Sequence, residues 1–443
     1  MICRPLIILT FKTDPVFKNY YLPLLLAFTV LLPSCEKEDP VPQPDYSIGS
    51  TPSFELIEQY PNGWIKQGRY QSSEATSEEF EYYENGYIKS AKVYASYPQH
   101  HLYMEVSRSE ENKPLWSKYY HPDGELWFET EYKNGLPSVK KVYSEAGTAV
   151  HTYTDGELSR VEFTAADGNS SAITSYNKAE GSREVIVTRN GETVLDENHA
   201  YREQVGAGIY THTHVPVANP FGYTETSYFK LNQSFSQSPS WEYDSDPIGF
   251  MFPYRLFDEF YNPGNYFATR FAVSTELYQS VIEQYPVTER GVLIGGGKYE
   301  DGYEAFSDSW AVRDSLAKVY DEDPALYKLK YGNEYIEKIG YGKIFFVIGA
   351  LRNLPTDEAV AGEIRNIARK QLSALISGST GLTPEEQEKL DRVWFEVKFF
   401  STLKEHRDGV VIGTAADYDN ALGDLNAGEV SVIQLKYRSV DEL

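Results

Sequence analysis

The sequence has few cysteines and few basic residues, and each shortage excludes a class of protein. Cys3 and Cys35 are the only cysteines among 443 residues, and cleavage of an N-terminal signal would remove Cys3. A mature chain without an internal disulfide must be stabilised by a packed core. Lys and Arg number 41 against 65 Asp and Glu, a formal net charge of −24. Such a field repels nucleic acid and anionic lipid, so we expect neither as a partner.

Long apolar segments are also missing after residue 34, where no run reaches the roughly 18 apolar residues typical of a membrane-spanning helix. We therefore expect no second membrane anchor. Aromatic residues are plentiful instead, with 36 Tyr and 22 Phe. This composition, punctuated by glycine, favours a chain rich in β-structure.

The N-terminus has the pattern of an exported lipoprotein. Residues 22–32 are an apolar run of signal-peptide length, preceded by Lys12 and Lys18. The run ends in Leu-Pro-Ser-Cys at residues 32–35, which resembles the lipobox of bacterial lipoproteins. The resemblance implies cleavage before Cys35, lipid on that cysteine and an outer-membrane location. The acidic residues that follow resemble a surface-export signal, so we expect the cell surface. An ordinary secretory signal with a chance cysteine is the alternative.

We divide the chain into four parts. They are a signal peptide (1–34), the lipidated cysteine with a proline-rich tether (35–52), a β-hairpin repeat domain (53–205) and a mixed α/β domain (206–443).

Residues 53–205 contain a short repeat built around Asn-Gly or Asp-Gly. Gly63, Gly86 and Gly124 each follow Asn or Asp within an aromatic-rich stretch, and weaker copies lie at Gly156 and Gly191. These dipeptides tolerate the positive φ of a tight hairpin turn, and a period of roughly 20–25 residues favours stacked hairpins. The repeats could form a spacer, a target-binding surface or only a scaffold.

Residues 206–443 contain segments typical of strands. Residues 265–274 alternate in polarity, and residues 335–348 are typical of a second strand with a Gly-aromatic-Gly interruption. Residues 394–400 and 430–439 are rich in aromatic and β-branched residues. The segment 335–348 resembles the aromatic-Gly-basic strand of the cholesterol-dependent cytolysins, with Tyr341, Gly342 and Lys343 on the core of the motif. Residues 417–428 are similar to the late helix of that family.

This resemblance implies a bent antiparallel sheet with two helical clusters that refold into membrane hairpins after ring assembly. By position the clusters are residues 232–260 and 353–392. The implied fold class is α+β, a β-hairpin repeat module followed by a cytolysin-core-like sheet flanked by helices. The sequence stops at Leu443, where the family's cholesterol-binding domain would begin, so cholesterol recognition is not expected.

The second cluster has two periodicities at once. Val360, Ile364, Ala368, Leu372 and Ile376 share one face of a helix predicted over 357–377, and they also share one side of a strand. A helix in water that becomes a lipid-facing strand needs both patterns. A surface helix with chance alternation is the other interpretation.

Three prolines in the first cluster, Pro239, Pro247 and Pro253, argue against a membrane strand there. Three hypotheses therefore stay open. The first is a surface lipoprotein of pore-forming type that oligomerises on a target membrane. The second is a non-lytic adhesion or binding lipoprotein with the same fold, recognising a surface glycan or protein. The third is a glycan-binding or enzymatic lipoprotein.

Motifs for catalysis and metal binding are weak. Gly295–Gly297 lacks the spacing of a phosphate loop and is expected to form a flexible turn. His212 and His214 lie on one side of an expected strand without placed further ligands. We expect no enzyme activity, no metal and no cofactor.

Overall fold

The first half of the described chain is one antiparallel sheet in which each strand pairs with the next. The computed structural model describes residues 53–71, 77–95, 101–200, 205–210, 215–223, 226–230, 272–286, 292–306, 311–312, 320–355, 357–379 and 381–442. The expected signal peptide, Cys35, the tether to residue 52, His212, His214 and the cluster 232–260 lie outside these residues. The thirteen strands found in the described part are β1 (Ser53–Gln59), β2 (Ile65–Gln71), β3 (Ser77–Tyr82), β4 (Ile88–Ala95), β5 (His101–Arg108), β6 (Pro114–Tyr120), β7 (Leu126–Lys133), β8 (Leu136–Ser144), β9 (Gly147–Thr154), β10 (Glu157–Ala165), β11 (Ser170–Asn177), β12 (Ser182–Arg189) and β13 (Glu192–Ala200).

The turns of this repeat sheet confirm the predicted hairpins. Gly63, Gly86 and Gly124 have φ angles of 85°, 86° and 89°. Each glycine amide donates a hydrogen bond to the carbonyl three residues earlier, at 2.9, 3.0 and 2.9 Å. Glycine accepts positive φ without the steric cost of a Cβ, which is why the repeat places it there.

A second sheet follows, with β20 at its centre. Its strands in the described residues are β14 (Gly208–Tyr210), β15 (Val215–Pro216), β17 (Thr226–Lys230), β18 (Val292–Phe306), β20 (Glu334–Arg352), β21 (Trp394–Ser401), β22 (Val410–Val411) and β23 (Ser431–Ser439). The strands β16 (Phe221–Tyr223) and β19 (Ala311–Val312) form a separate pair.

The helices of the described chain all lie in this second half. They are α1 (Ala272–Gln284), α2 (Pro324–Tyr331), α3 (Glu358–Ser377), α4 (Pro384–Leu390) and α5 (Ala415–Ala427), with short 3-10 turns at Lys404–His406 and Val440–Glu442. The helix predicted over 357–377 is present as α3. Among the described residues, none of the helices has the length and apolar character to span a bilayer.

The strand β20 changes partner along its length. Its first part, Glu334–Gly342, pairs with β23, and its second part, Phe345–Arg352, pairs with β21. Irregularities at Ile336/Lys338 and Gly340/Tyr341 interrupt the first ladder, and bulges of this kind bend a strand. With β18 on the opposite edge, β21, β20, β18 and β17 lie side by side as antiparallel neighbours. The α+β fold class is confirmed.

The described part of the chain has three layers. Alternate residues of β20 and β21, among them Phe346 and Phe400, pack in one core with the inner face of the repeat sheet and with α1. The residues between them, among them Val347 and Phe399, pack in a second core with α3 and α5. This alternation is the period-two pattern of a sheet buried on both faces.

Two expectations from the sequence are wrong. Residues 272–274 were expected to end a strand that begins at 265, but they start α1. Gly295–Gly297 is not a turn, because it lies inside β18. A Cβ on Gly296 would lie 2.5 Å from the carbonyl oxygen of Phe345. Gly296 therefore allows β18 and β20 to approach closely, and its role is not to make the chain flexible.

Candidate functional site

The motif Tyr341-Gly342-Lys343 lies where β20 passes from β23 to β21. A Cβ on Gly342 would lie 2.0 Å from the carbonyl oxygen of Tyr299 on β18, so only glycine fits. Lys343 is 6 % exposed, and its Nζ donates a 2.7 Å hydrogen bond to the carbonyl oxygen of Asn426 in the last turn of α5. Burial lowers the pKa of Lys343. Gly342 thus allows β20 and β18 to approach closely at the point where β20 changes its partner strand. Lys343 binds the C-terminal carbonyl end of α5, where the helix dipole favours a positive charge.

The five predicted hairpin residues are all on α3, but they differ in environment. Ile364, Ala368 and Leu372 are buried in the core with β20, β21 and α5. Ile376 is partly buried beside that core, and Val360 is 43 % exposed. In this state α3 presents a helical face to the sheet.

Capping residues define both ends of α3. The carboxylate of Asp357 accepts hydrogen bonds from the amides of Ala359 and Val360 at 2.9 and 3.2 Å. Gly378 ends the helix in the left-handed conformation. Lys370 and Lys389 pair with Glu386 and Glu363, respectively, and join α3 to α4. These exposed pairs add little to stability.

The helices α3 and α4 are an insertion into a β-hairpin. The strands β20 and β21 are antiparallel neighbours, and their last pair before the insertion is Arg352 with Trp394. Everything from residue 353 to 393 therefore leaves the sheet at one point and returns to it beside that point.

The outer edge of β21 is covered by the short strand β22, which is called the cover of β21 below. Val410 and Val411 of β22 pair only with Phe399 and Lys398, and Val411 is 57 % exposed. Just before β22, Gly409 has a φ of 83°. The paired part of this cover is short, and the next residue, Ile412, is buried and its amide donates to the carbonyl of Val397 at 2.8 Å.

The turn after β21 contains a buried Ser-His pair. Ser401 Oγ lies 2.9 Å from Nδ1 of His406, and the amide of Leu403 donates to the same oxygen at 3.2 Å. Ser401 has no exposed surface and His406 is 4 % exposed. A serine without access to solvent cannot attack a substrate, so this pair fixes the turn.

Two turns of the repeat sheet contact the base of the inserted segment, where β20 ends at Arg352 and β21 begins at Trp394. The guanidinium of Arg352 lies between the rings of Tyr82 and Trp394 and donates to the carbonyl of Gly86. The amide of Ile65 donates to Oδ1 of Asn353 at 2.9 Å. A further link joins Tyr87 to Glu396 of β21, whose carboxylate accepts from the phenol at 3.1 Å.

The repeat sheet also grips α1, through Glu283. This side chain is 3 % exposed, and its carboxylate accepts from the hydroxyls of Tyr132 at 2.8 Å and Tyr119 at 3.3 Å. Gln279 adds a 2.8 Å bond from within the helix. Burial, together with the charge of Glu283, raises the pKa of both tyrosines, so both stay protonated donors.

A buried arginine completes this contact. Arg108 Nη1 lies 3.4 Å from the carbonyl oxygen of Glu283, and its other nitrogens donate to Asn112. Burial lowers the pKa of Arg108, while Glu283 opposes that shift. Sequence reasoning missed this cluster, although one signal was present. Arg108 continues the buried alternation of Met104 and Val106 on β5, which marks a polar residue on an inner face.

Among the described residues, no group of His, Cys, Asp and Glu side chains is arranged to hold a metal ion. The contacts described above hold α1 and the base of the β20–β21 hairpin against the repeat sheet.

No protein-family model matches the chain, and no curated protein matches it. Solved structures show weak likeness. The disulfide-locked early prepore of intermedilysin with CD59 has 9% identity over 71% of this chain and 65% of that one, with a TM-score of 0.28. Wild-type pneumolysin has 9% identity over 68% and 64%, with a TM-score of 0.21. GNIP1Aa from Chromobacterium piscinae has 9% identity over 58% and 46%, with a TM-score of 0.26. The chain spans less than two thirds of each of these structures, and at such scores the likeness carries no argument about activity.

Proposed function

We propose that this protein is a surface lipoprotein whose residues 206–443 act on a target membrane as a pore-forming domain. The observation that carries the proposal is the insertion of an amphipathic helix pair, α3 and α4, between the adjacent antiparallel strands β20 and β21. Because those strands already form the two legs of a hairpin, refolding of the inserted helices into strands lengthens the hairpin without breaking the pairs already made.

The inserted segment has the length and pattern for this conversion. A membrane-spanning strand takes about 9–11 residues, and α3 alone has 20. In an extended chain Val360, Ile364, Ala368, Leu372 and Ile376 fall on one side and face lipid, and Asn366 and Lys370 are the polar breaks on that side. Glu363, Arg365 and Arg369 fall on the other and face water.

Assembly follows from the two ends of the sheet. At one end β21 is covered only by β22, and at the other end β17 pairs with β18 alone among the described strands. When β22 leaves, the edge of β21 can pair with the β17 edge of a second copy. A head-to-tail contact of this kind joins identical copies in a ring where the rotation between them closes, so the proposed assembly is a homo-oligomer.

The test is dye release from liposomes by protein that begins at residue 36. Val360 and Ala359 are both exposed in the first turn of α3, so Asp at either position leaves the packing of the soluble form intact. In a membrane strand the two side chains face opposite sides. Val360→Asp places a carboxylate in lipid and should lower the release rate at least about tenfold, whereas Ala359→Asp should leave the rate unchanged. Equal rates for the two variants would contradict the proposal.

A second candidate function is non-lytic binding to a surface glycan or protein. The prolines at 239, 247 and 253 favour it, since they interrupt any strand formed by the first cluster. This function predicts saturable binding to target cells without dye release from cells or liposomes.

A further inference from the structure

The repeat sheet contacts the pore-forming domain at the elements that the conversion has to move. We propose that this sheet is an autoinhibitory clamp, which holds α1 and the base of the β20–β21 hairpin until it is displaced. This inference rests on the proposed function and adds its regulation.

The first grip is on α1, the helix that directly precedes β18. Glu283 is held by Tyr119 and Tyr132 of the repeat sheet, with Arg108 against its backbone carbonyl. Withdrawal of α1 leaves the buried phenol of Tyr119, the half-buried phenol of Tyr132 and the buried guanidinium of Arg108 without this partner. Buried polar groups that lose their partners are costly, so the contact resists partial opening and favours an all-or-none release.

The same helix passes this restraint to the edge of β21. Ser280 Oγ donates to the carbonyl of Arg407 at 2.8 Å, and Gln284 Nε2 donates to the carbonyl of Asp408 at 3.0 Å. These carbonyls lie directly before Gly409 and β22, the short cover of β21. While the repeat sheet holds α1 in place, α1 therefore holds β22 against β21. Release of α1 would free β22 and expose the edge of β21 that assembly needs.

The second grip is on the point where α3 and α4 leave the sheet. The turns at Gly63 and Gly86 approach Asn353, Arg352 and Trp394. A lengthening hairpin must continue the ladder beyond Arg352 and Trp394, through the space that these turns occupy. A Cβ on Gly86 would lie 2.6 Å from the Trp394 ring, which shows how closely the turn approaches.

The exposed face of the same sheet offers a matched control for the first grip. Tyr143 donates to the carboxylate of Glu129 at 3.0 Å, as Tyr132 donates to Glu283 at 2.8 Å. Both are phenol-to-carboxylate bonds, and the two tyrosines lie on the neighbouring strands β7 and β8. The Tyr143 bond lies within the repeat sheet, whereas the Tyr132 bond joins that sheet to α1.

Hydrogen exchange of the chain from residue 36 tests the clamp without reference to any membrane. Tyr132→Phe should speed amide exchange in 272–286 and 407–411 about tenfold, while Tyr143→Phe leaves both segments unchanged. Glu283→Gln, which keeps the shape of the side chain, should act as Tyr132→Phe does and replaces it if the latter fails to fold. Unchanged exchange in α1 in both clamp variants overturns the inference.

Dye release by the same proteins separates the two proposals. The clamp predicts that Tyr132→Phe and Glu283→Gln release dye faster than the parent, and Tyr143→Phe at the parent rate. If the parent releases dye and the clamp variants are no faster, the clamp is wrong and the pore function stands. If exchange speeds up but no protein releases dye, the contact is a lock on α1 and the pore function is what fails.

Discussion

Arg352 and Trp394 face each other across β20 and β21, with the guanidinium 4.4 Å from the centre of the indole ring. Arg352 also stacks on Tyr82 of the repeat sheet at 4.7 Å. The side chain of Arg352 thus contacts both strands of the hairpin base and the repeat sheet. Burial between two aromatic rings makes such a cation–π contact stronger than it is at an exposed site.

Replacement of Arg352 should therefore reduce stability. Arg352→Met keeps much of the volume but removes both ring contacts and the bond to Gly86. We expect the free energy of unfolding to fall by about 2–3 kcal/mol, measured by urea denaturation. Arg392, whose side chain is 70% exposed, is the control, and Arg392→Met should change stability by less than about 0.5 kcal/mol.

Gly342 gives a prediction about the sheet itself. Gly342→Ala forces a Cβ against the Tyr299 carbonyl oxygen and should destabilise the protein by about 2–4 kcal/mol. Gly423 lies inside α5 with open space around it. Gly423→Ala should raise stability by up to about 1 kcal/mol. Thermal unfolding of the two variants measures the difference, and a stable Gly342→Ala protein would show that the register around β20 is different.

His406 predicts a dependence of stability on pH. Burial lowers the pKa of His406 below its ordinary value of 6.5, and Asp424 and Glu405 only partly oppose this. Its side chain meets Ser401 and the ring of Phe399. Because the unfolded chain binds the proton more tightly, the neutral imidazole stabilises the fold at high pH. This contribution is lost as pH falls through 6.5 towards the lower folded pKa.

The comparison of two variants isolates this effect from the carboxylates. His406→Gln should weaken the pH dependence of urea denaturation between about pH 7.5 and pH 5 relative to the parent. His406→Asn, which removes the same titrating group, should weaken it to the same extent. A parent whose pH profile is the same as that of His406→Gln would show that His406 binds its proton equally in both states.

A row of exposed and half-buried charges crosses the repeat sheet and predicts a role in register. Cross-strand neighbours alternate in sign over eight strands, and they are Glu55, Arg69, Glu79, Lys92, Glu105, Lys118, Glu129 and Lys141. Lys92→Glu places three carboxylates side by side and should cost about 1 kcal/mol at low salt, less at high salt. Lys133→Glu, outside the row, should cost less, and equal effects would contradict the role of the row.

The lipid anchor is a prediction from the sequence alone. Cys35→Ser should abolish fatty-acid labelling of the protein in its host and move it from the membrane fraction to the soluble one. Loss of labelling without release from the membrane would mean that another segment holds the chain there.

Sequence patterns correctly predicted the turns of the repeats and the helix α3, because both depend on interactions between residues close in sequence. The turn glycines of the repeats were found because positive φ is a property of the residue itself, and α3 was found from the helical period of its apolar residues. Gly295–Gly297 was wrongly predicted as a turn because the local preference of glycine favours turns. In the structure the neighbouring strand β20 leaves no room for a Cβ at Gly296. The contact of Glu283 with Tyr132 joins positions 151 residues apart, and no periodicity in either segment contains that information.

The most direct measurement of the central claim is a polarity-sensitive dye on single cysteines at positions 359, 360, 362 and 363 of the protein from residue 36. That chain has no other cysteine, and in the soluble form these four positions are exposed or half-buried. On addition of liposomes, refolding to a membrane hairpin predicts an apolar environment at 360 and 362 and an aqueous one at 359 and 363. The same emission in liposomes as in solution at all four positions would contradict the conversion of α3 into a membrane strand.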